Sequence, residues 1–273
     1  MRVAVLGSGS RGNALLVEAE GTRLLVDAGF SARDLAHRME SLDVSPGSLA
    51  GIVITHDHAD HTRGMGVFAR RHGTPLYLTR GTREACAKLL TGAEVLREYR
   101  AGVPFRVGAV EVEPFITVHD AREPVGIALV DDATGSRLGV ATDLGRPTAG
   151  IRHALARCEI LVLEANHDEV LLQEAPYPWN VKARIRSSHG HLSNRAAAQF
   201  ARELFHDGLL AVVLAHLSGE SNRPELAQRV VGSALREVGY RGVVKVAEQD
   251  TPLPFLDVRE LRRRREPGQL TLL

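Results

Sequence analysis

Cysteine is nearly absent from this 273-residue chain, which has only Cys86 and Cys158. The two lie far apart and no Cys-x-x-Cys occurs, so a disulfide framework is excluded and a reducing cytosol is expected. Long apolar runs are also lacking, and none approaches the roughly 20 residues that span a bilayer. Residues 1–7 have the pattern of a strand and not of a signal peptide. We therefore expect a cytoplasmic protein with no membrane partner.

Strong net charge is lacking as well, since the formal charge is +1 at pH 7. A field this weak does not attract a polyanion to the molecule as a whole, so DNA would have to bind to local basic patches. With 44% hydrophobic and 25% charged residues, the composition is that of an ordinary globular protein. We expect one domain over residues 1–255, followed by a basic and flexible tail over 256–273. The composition leaves the oligomeric state open.

Short strands alternate with helices along both halves of the chain, and each half places candidate metal ligands at strand ends. This arrangement predicts an α/β (α+β) fold, specifically a four-layer αββα sandwich. The predicted strands are 2–6, 14–19, 22–27, 51–54, 75–79, 103–107, 110–118, 126–130, 137–141, 160–164, 210–215 and 243–246. The predicted helices are 31–42, 62–72, 80–90, 148–156, 194–206 and 224–238.

Residues 7–12 read Gly-Ser-Gly-Ser-Arg-Gly, which matches the glycine-rich fingerprint of dinucleotide-binding proteins. That fingerprint requires a helix before the next strand. Here only 13–19 precede a turn at 20–21, too short for a parallel crossover. We therefore reject a dinucleotide site and predict a flexible, amide-rich loop, with Asn13 as a polar contact to substrate.

The most informative segment is 55–61, which reads Thr-His-Asp-His-Ala-Asp-His after the apolar run 51–54. Four side chains that bind metals lie within six positions: His56, His58, Asp60 and His61. In a loop, this spacing can direct the first imidazole pair to one metal and the Asp-His pair to a second. Imidazole with carboxylate suits zinc, manganese or iron. The alternative is a solvated, His-rich loop, because most single histidines bind nothing.

The form His-x-His-x-Asp-His resembles the metallo-β-lactamase superfamily of hydrolases, and Asp27 resembles the aspartate that buttresses its metal loop. The resemblance implies two divalent metal ions, zinc or manganese, and further ligands at the ends of later strands. The first metal would take His56, His58 and His119, the second would take Asp60, His61 and His216, and Asp143 would bridge them. Strand-terminal Asp and His are also common for capping or turn reasons alone.

Four later segments resemble the YycJ-like (WalJ) branch of that superfamily. They are 163–168 (Leu-Glu-Ala-Asn-His-Asp), 176–179 (Pro-Tyr-Pro-Trp), 190–194 (Gly-His-Leu-Ser-Asn) and 215–218 (Ala-His-Leu-Ser). The resemblance extends to about residue 255 and implies a 5′→3′ exonuclease that acts on DNA in repair or replication. Glu164 with the Gly-His-x-Ser segment also resembles the Glu-His pair of the tRNA-processing ribonuclease Z.

Phosphodiester cleavage also agrees with the chemistry of these residues. Two metals roughly 3.5–4 Å apart can present a hydroxide to phosphorus and neutralise the developing charge. We expect Asp60 and Asp143 to be essential as ligands. His191, oriented by Glu164, is the candidate proton donor to the leaving 3′-oxygen. The alternative for His191 is to cap the helix that starts near Ser193.

Other functions stay open at this point. A small-molecule hydrolase of the same fold could be a cyclic phosphodiesterase, a lactonase or a thioesterase, and a ribonuclease is a near competitor. A metal-stabilised docking protein is a further alternative.

The segment between Pro178 and Gly190 alternates cations beside an aromatic residue. Its candidate substrate-binding residues are Trp179, Lys182, Arg184 and Arg186. Such residues suit a nucleic-acid backbone and a stacked terminal base, although a solvated basic loop is an equal alternative. Arg122 and Arg146 follow ligand loops and could also meet phosphate.

The chain ends in Gln269, Leu270, Thr271, Leu272 and Leu273. This segment resembles the pentapeptide by which many bacterial replication and repair proteins dock on the sliding clamp. The last position of that pentapeptide is usually Phe, so Leu273 departs from it.

Overall fold

A computed structural model describes residues 1–265 of the chain. In this part of the chain two seven-stranded mixed sheets pack together, with helices on their outer faces. The αββα sandwich is thereby confirmed. Alternate residues of strands from both sheets, such as Val5, Val26, Val140 and Val162, meet in one buried apolar cluster. The period of two in these strands places every second side chain between the sheets.

The first sheet holds β1 to β6 in chain order, with the short pair 256–257 hydrogen-bonded to the free edge of β1. The strand bounds are β1 Arg2–Gly7, β2 Ala14–Ala19, β3 Thr22–Val26, β4 Gly51–Val53, β5 Leu76–Thr79 and β6 Leu96–Tyr99. β1 to β3 are antiparallel neighbours, whereas β3 to β6 run parallel. The carboxyl ends of the parallel strands therefore meet at one edge of the sheet.

The second sheet holds β7 to β13, again in chain order. The strand bounds are β7 Phe105–Val107, β8 Val110–Ile116, β9 Val125–Asp131, β10 Arg137–Ala141, β11 Ile160–Glu164, β12 Ala211–Ala215 and β13 Val243–Val246. The pair Leu256–Asp257 of the first sheet is β14. β10 to β13 run parallel, and β8 shares their direction because β9 is antiparallel to both β8 and β10. The loops after β8, β10, β11 and β12 consequently emerge at the same edge.

Helices cover the two outer faces and bury their apolar sides in two further clusters. Their bounds are α1 Ala32–Glu40, α2 Ala59–Thr62, α3 Met65–His72, α4 Arg80–Ala85, α5 Ala149–Leu155, α6 Glu169–Glu174, α7 Trp179–Arg186, α8 Asn194–Glu203, α9 Pro224–Glu237 and α10 Val258–Arg265. The sequence pattern did not predict β6, β14, α6, α7 or α10. The predicted helix 80–90 is a short helix followed by a 3-10 turn at Ala87–Leu89.

The structure corrects the predicted boundary at residue 255, because 256–265 are folded against the domain. Val258 and Leu261, three residues apart on one face of α10, are buried in the cluster between the sheets. Arg262 forms a bidentate ion pair with Glu159, with Nε–Oε1 and Nη2–Oε2 distances of 2.7 and 2.8 Å. The clamp-like segment 269–273 lies outside the described residues.

The loop that carries the glycine-rich match joins antiparallel β1 and β2 without a helix, in agreement with the rejection of a dinucleotide site. Within residues 1–265, no helix is both long and apolar enough to cross a membrane.

Candidate metal centre

The backbone turns sharply where the strands deliver their polar side chains. Asp27, Asp143 and His216 follow β3, β10 and β12 and have φ values of 62°, 56° and 56°. This left-handed region is uncommon for residues other than glycine and is often found at functional sites. His56 and His58 lie in the loop after β4, and the short helix α2 carries Asp60 and His61.

One group of imidazoles comes from both sheets, since His56 and His58 follow β4 and His119 follows β8. His56, His58 and His119 place one nitrogen each within 4.8 Å of one another. Nε2 of His119 lies 3.2 Å from Nδ1 of His58, and the rings of His56 and His58 have centroids 4.7 Å apart. The predicted ligands of the first metal are thus brought together.

A second group consists of Asp60, His61 and His216. Oδ2 of Asp60 lies 3.2 Å from Nε2 of His216 and 3.4 Å from Nε2 of His61. Asp143 lies between the two groups, with Oδ1 3.6 Å from Nε2 of His119 and Oδ2 3.1 Å from Nε2 of His61. The carboxylate predicted to bridge two metals is therefore placed where it can reach both sets of ligands.

The donor atoms fit divalent cations. Nε2 of His56 and Oδ2 of Asp143 are fully buried and form no hydrogen bond within the described part of the chain. Buried polar atoms are almost always paired, so these two atoms are arranged for a partner outside the polypeptide. Neutral imidazole and carboxylate are the ligands of zinc and manganese. The cluster, set in this fold, indicates that the protein binds divalent metal.

The titration behaviour differs within the cluster. Burial alone would lower the pKa of His61 and of His216, but the facing Asp143 raises both well above the ordinary value, so a metal must displace a proton from each ring. Burial holds the pKa of His56 well below its ordinary value, which keeps its imidazole in the neutral form that binds metals. Burial lowers the pKa of His119 in the same way. Burial alone would raise the pKa of Asp143, but the adjacent His216 and His61 outweigh it and hold this pKa well below the ordinary value. The carboxylate is therefore ionised at neutral pH.

The side chain of Asp27 holds the loop 55–61, which carries four metal-ligand candidates, in place. Its Oδ1 accepts a hydrogen bond from the backbone N–H of Thr55 at 2.8 Å, and its Oδ2 lies 2.8 Å from Nδ1 of His61. The side chain thus orients a ligand without being one of the clustered donors itself. Gly29 allows the backbone of Asp60 to approach closely, because a Cβ at position 29 would lie 1.7 Å from the carbonyl oxygen of Asp60.

Asn13 is positioned differently from the expected contact to substrate. Its side chain is buried, its Nδ2 lies 3.1 Å from Oδ2 of Asp60, and its Oδ1 accepts hydrogen bonds from Ser8 Oγ and Gly9 N. The backbone N–H of Asn13 also donates to Asp60 O at 2.7 Å. The amide is therefore engaged inside the protein, where it braces a metal-ligand candidate.

Glu164 and His191 form the expected pair at the second-sheet side. Oε1 of Glu164 lies 2.8 Å from Nδ1 of His191, and the same oxygen lies 2.9 Å from Nδ1 of His216. Oε2 accepts hydrogen bonds from the backbone N–H groups of Leu144 and Leu192 at 3.0 and 2.9 Å. One buried carboxylate therefore holds both the proton-donor candidate and a metal-ligand candidate, and the second contact was not expected from the sequence.

Burial alone would raise the pKa of Glu164, but the neighbouring His191 and His216 lower it to about 2. Burial alone would lower the pKa of His191, whereas the facing Glu164 raises it. The capping role considered for His191 is taken by Ser193, whose hydroxyl accepts a hydrogen bond from Ala196 N at the start of α8. His191 keeps an exposed edge, with 21% of its side chain accessible.

The predicted substrate residues lie on α7 and not in a loop. Trp179 is 82% exposed. Arg184 pairs with Asp120, with Nε 2.5 Å from Oδ2, and Lys182 donates to Gln173 O at 2.6 Å. Arg186, together with Arg122 and Arg146, is exposed.

The carboxyl end of α7 approaches the metal-ligand cluster. Asp120 N donates to His189 O at 3.2 Å, and a Cβ on Gly145 would lie 2.3 Å from Ser188 O.

Two residues near the cluster, Asp120 and Ser8, were not predicted from the sequence. Asp120 follows His119 and connects it to α7, and Ser8 Oγ accepts a hydrogen bond from His216 N at 2.8 Å. The signal for Ser8 was its place in the Gly-Ser-Gly-Ser loop, and Asp120 carried no signal beyond its neighbour.

Comparisons with known proteins agree with this geometry. The family model described as a β-lactamase superfamily domain matches residues 22–216. The chain is 34% identical over 242 residues to the exodeoxyribonuclease YycJ of Bacillus anthracis, covering 88% of this chain and 91% of the relative. It is 31% identical over 265 residues to the exodeoxyribonuclease WalJ of Streptococcus pneumoniae, covering 94% and 98%.

Among solved structures, the metallo-β-lactamase fold protein YhfI of Bacillus subtilis superimposes with a TM-score of 0.72 at 17% identity, over 94% of this chain and 99% of that one. This likeness concerns the fold. The resemblance found in the sequence motifs is confirmed, and the chain belongs to the β-lactamase superfamily and, within it, to the family of the YycJ and WalJ exodeoxyribonucleases.

Proposed function

We propose that this chain is a metal-dependent exodeoxyribonuclease that removes nucleotides from the 5′ end of DNA, in the cytoplasm, during repair or replication. The observation that carries the proposal is the joining of the metal-ligand cluster to the Glu164–His191 pair through a single carboxylate. The names of the two relatives that match most of the chain support DNA as the substrate.

The proposed cofactors are two divalent ions, zinc or manganese. One would be held by His56, His58 and His119, the other by Asp60, His61 and His216, with Asp143 shared. Such ions, when bound, lower the pKa of water and neutralise the charge that develops on a phosphodiester.

The chain itself supplies the proton for the leaving group. Glu164 accepts from Nδ1 of His191, which fixes the orientation of the ring and leaves Nε2 free to act. When both ring nitrogens are protonated, Nε2–H can donate to the 3′-oxygen as the phosphodiester breaks. The partly exposed edge of His191 is open to a substrate.

We place the DNA backbone along α7 and the loops beside it. Arg122, Arg146 and Arg186 are exposed around the cluster, and cations of this kind contact phosphates. Trp179 offers a face on which an unpaired base can stack. Arg184 serves this interface indirectly, because its pair with Asp120 fixes α7 against the ligand loop.

The decisive experiment uses DNA labelled at one end and RNA of the same sequence, with zinc and manganese compared. We expect mononucleotides released from the 5′ end of DNA, and slower cleavage of the RNA. His191→Ala should lower the rate by a factor on the order of 100 to 10,000 while metal content is unchanged, and His153→Ala on the exposed face of α5 is the matched control. Absence of DNA products with every divalent metal would refute the proposal.

From the sequence pattern alone, we also infer that Gln269, Leu270, Leu272 and Leu273 dock on a sliding clamp. Deletion of residues 268–273 should abolish binding to purified clamp in calorimetry. Equal affinity of the truncated and full-length proteins would exclude this inference.

A further inference from the structure

A cavity of about 690 Å³ opens beside the metal centre. Its walls come from the loops that follow β1, β12 and β13, and Tyr177 closes it from the segment before α7. This volume lies within the roughly 300–1,000 Å³ of small-molecule sites. It is far too small for a duplex.

The cavity is physically joined to the metal centre. Ser8 lines it, accepts a hydrogen bond from His216 N at 2.8 Å, and donates to Asn13 Oδ1 at 2.8 Å. Leu217, which follows the ligand candidate His216, also lines it. The cavity therefore adjoins residues that position His216, one of the metal-ligand candidates.

The charges of the lining indicate what kind of molecule fits. The lining includes three acidic residues, Glu220, Glu248 and Asp250, and two basic ones, Arg11 and Arg223. Arg11 is already paired with Asp250 at 2.5 Å. The lining therefore disfavours a second phosphate, whereas free carboxylates accept hydrogen bonds from sugar hydroxyls and from the exocyclic amines of bases.

We propose that this cavity holds the terminal nucleoside of the DNA strand, an assignment that rests on the proposed function. The base packs against Tyr177, and its amine donates to a carboxylate of the lining. The rest of the strand, a polyanion, leaves toward the exposed arginines near α7. A strand end enters such a cavity without the cost of flipping an internal nucleotide out of the strand, so the cavity favours removal of terminal nucleotides over internal cleavage.

The test fills the cavity without disturbing the fold. A Cβ at Gly219 would meet no atom within 4 Å, so Gly219→Phe can add a ring to the cavity. Binding of 2′-deoxyadenosine and of thymidine is measured by NMR titration, since neither probe carries phosphate. We expect tighter binding of deoxyadenosine, because thymine has no exocyclic amine. We also expect about tenfold weaker binding in Gly219→Phe and in Tyr177→Ala.

Glu260→Gln, at an exposed position of α10, is the control and should bind like wild type. Thermal unfolding and metal content verify that each variant is folded and loaded. Equal nucleoside affinity in wild type and Gly219→Phe would overturn the proposal, as would Gly219→Phe digesting DNA at the wild-type rate. If wild type binds deoxyadenosine in the cavity but degrades no DNA, the proposed function fails while the nucleoside site stands.

Discussion

Glu164→Gln should destabilise the fold by roughly 2–6 kcal/mol, a range that follows from two buried donors left unpaired. In wild type, Oε1 faces two imidazole nitrogens and Oε2 faces two backbone N–H groups. A glutamine amide has one acceptor oxygen, and its NH2 group must face one of these pairs of donors. The amide therefore either sets its NH2 group against the two backbone N–H groups or forces Nδ1 of His191 and of His216 to give up the proton that each donates in wild type.

The pKa of this carboxyl gives a second reason to expect a loss of stability. Although burial alone would raise it, His191 and His216 lower this pKa from 4.5 to about 2, so the ionised carboxylate stabilises the folded state. Because the folded pKa is the lower one, this stabilisation is fully present above pH 4.5 and is lost as the pH falls toward 2. At neutral pH the whole contribution is at stake in the Glu164→Gln variant.

The assay is urea unfolding of wild type and variant at pH 7. Both proteins are first chelated exhaustively, so that bound metal stabilises neither of them. Glu169→Gln is the matched control, since this exposed carboxylate pairs with Arg195 at the surface and should contribute less than about 1 kcal/mol. A loss below about 1 kcal/mol in Glu164→Gln, with an unchanged dependence on urea, would refute the reasoning.

Three further variants test other parts of the structure. Asp143→Asn should weaken divalent metal binding at least about tenfold, measured by competition with a chromophoric chelator, whereas Asp132→Asn at the surface should not; equal metal affinity would contradict the bridging position. Gly29→Ala should lower the melting temperature or prevent folding, because the new Cβ would lie 1.7 Å from Asp60 O; a wild-type melting curve would show the contact to be relieved easily. Trp179→Ala should weaken binding of single-stranded DNA by about 1–3 kcal/mol in fluorescence anisotropy, and unchanged affinity would remove the stacking role.

The metal-ligand candidates could be identified from the sequence for two different reasons. His56, His58, Asp60 and His61 are contiguous, so their local pattern was sufficient. Residues such as His216 are separated from them by more than a hundred positions, and only the family resemblance connected them. The layered fold was predictable because strand and helix periods alternate clearly along the chain.

Other features depended on tertiary contacts that no local pattern records. Asn13 has the composition of a loop residue free to meet substrate, but its backbone pairs with Asp60 and draws its amide inside. Residues 256–265 are rich in arginine, yet Val258 and Leu261 are buried and pack this segment against the core. In both cases a few specific contacts outweighed the local composition.

The left-handed backbone at Asp27, Asp143 and His216 has an evolutionary consequence. Each such residue raises the energy of the native state by about 1 kcal/mol or more relative to glycine, which adopts this conformation freely. Drift toward better folding would thus favour erasing these side chains one by one. Their presence in the chain shows that what these side chains hold together outweighs the strain, since Asp27 and His216 each form buried hydrogen bonds that a glycine would leave unpaired.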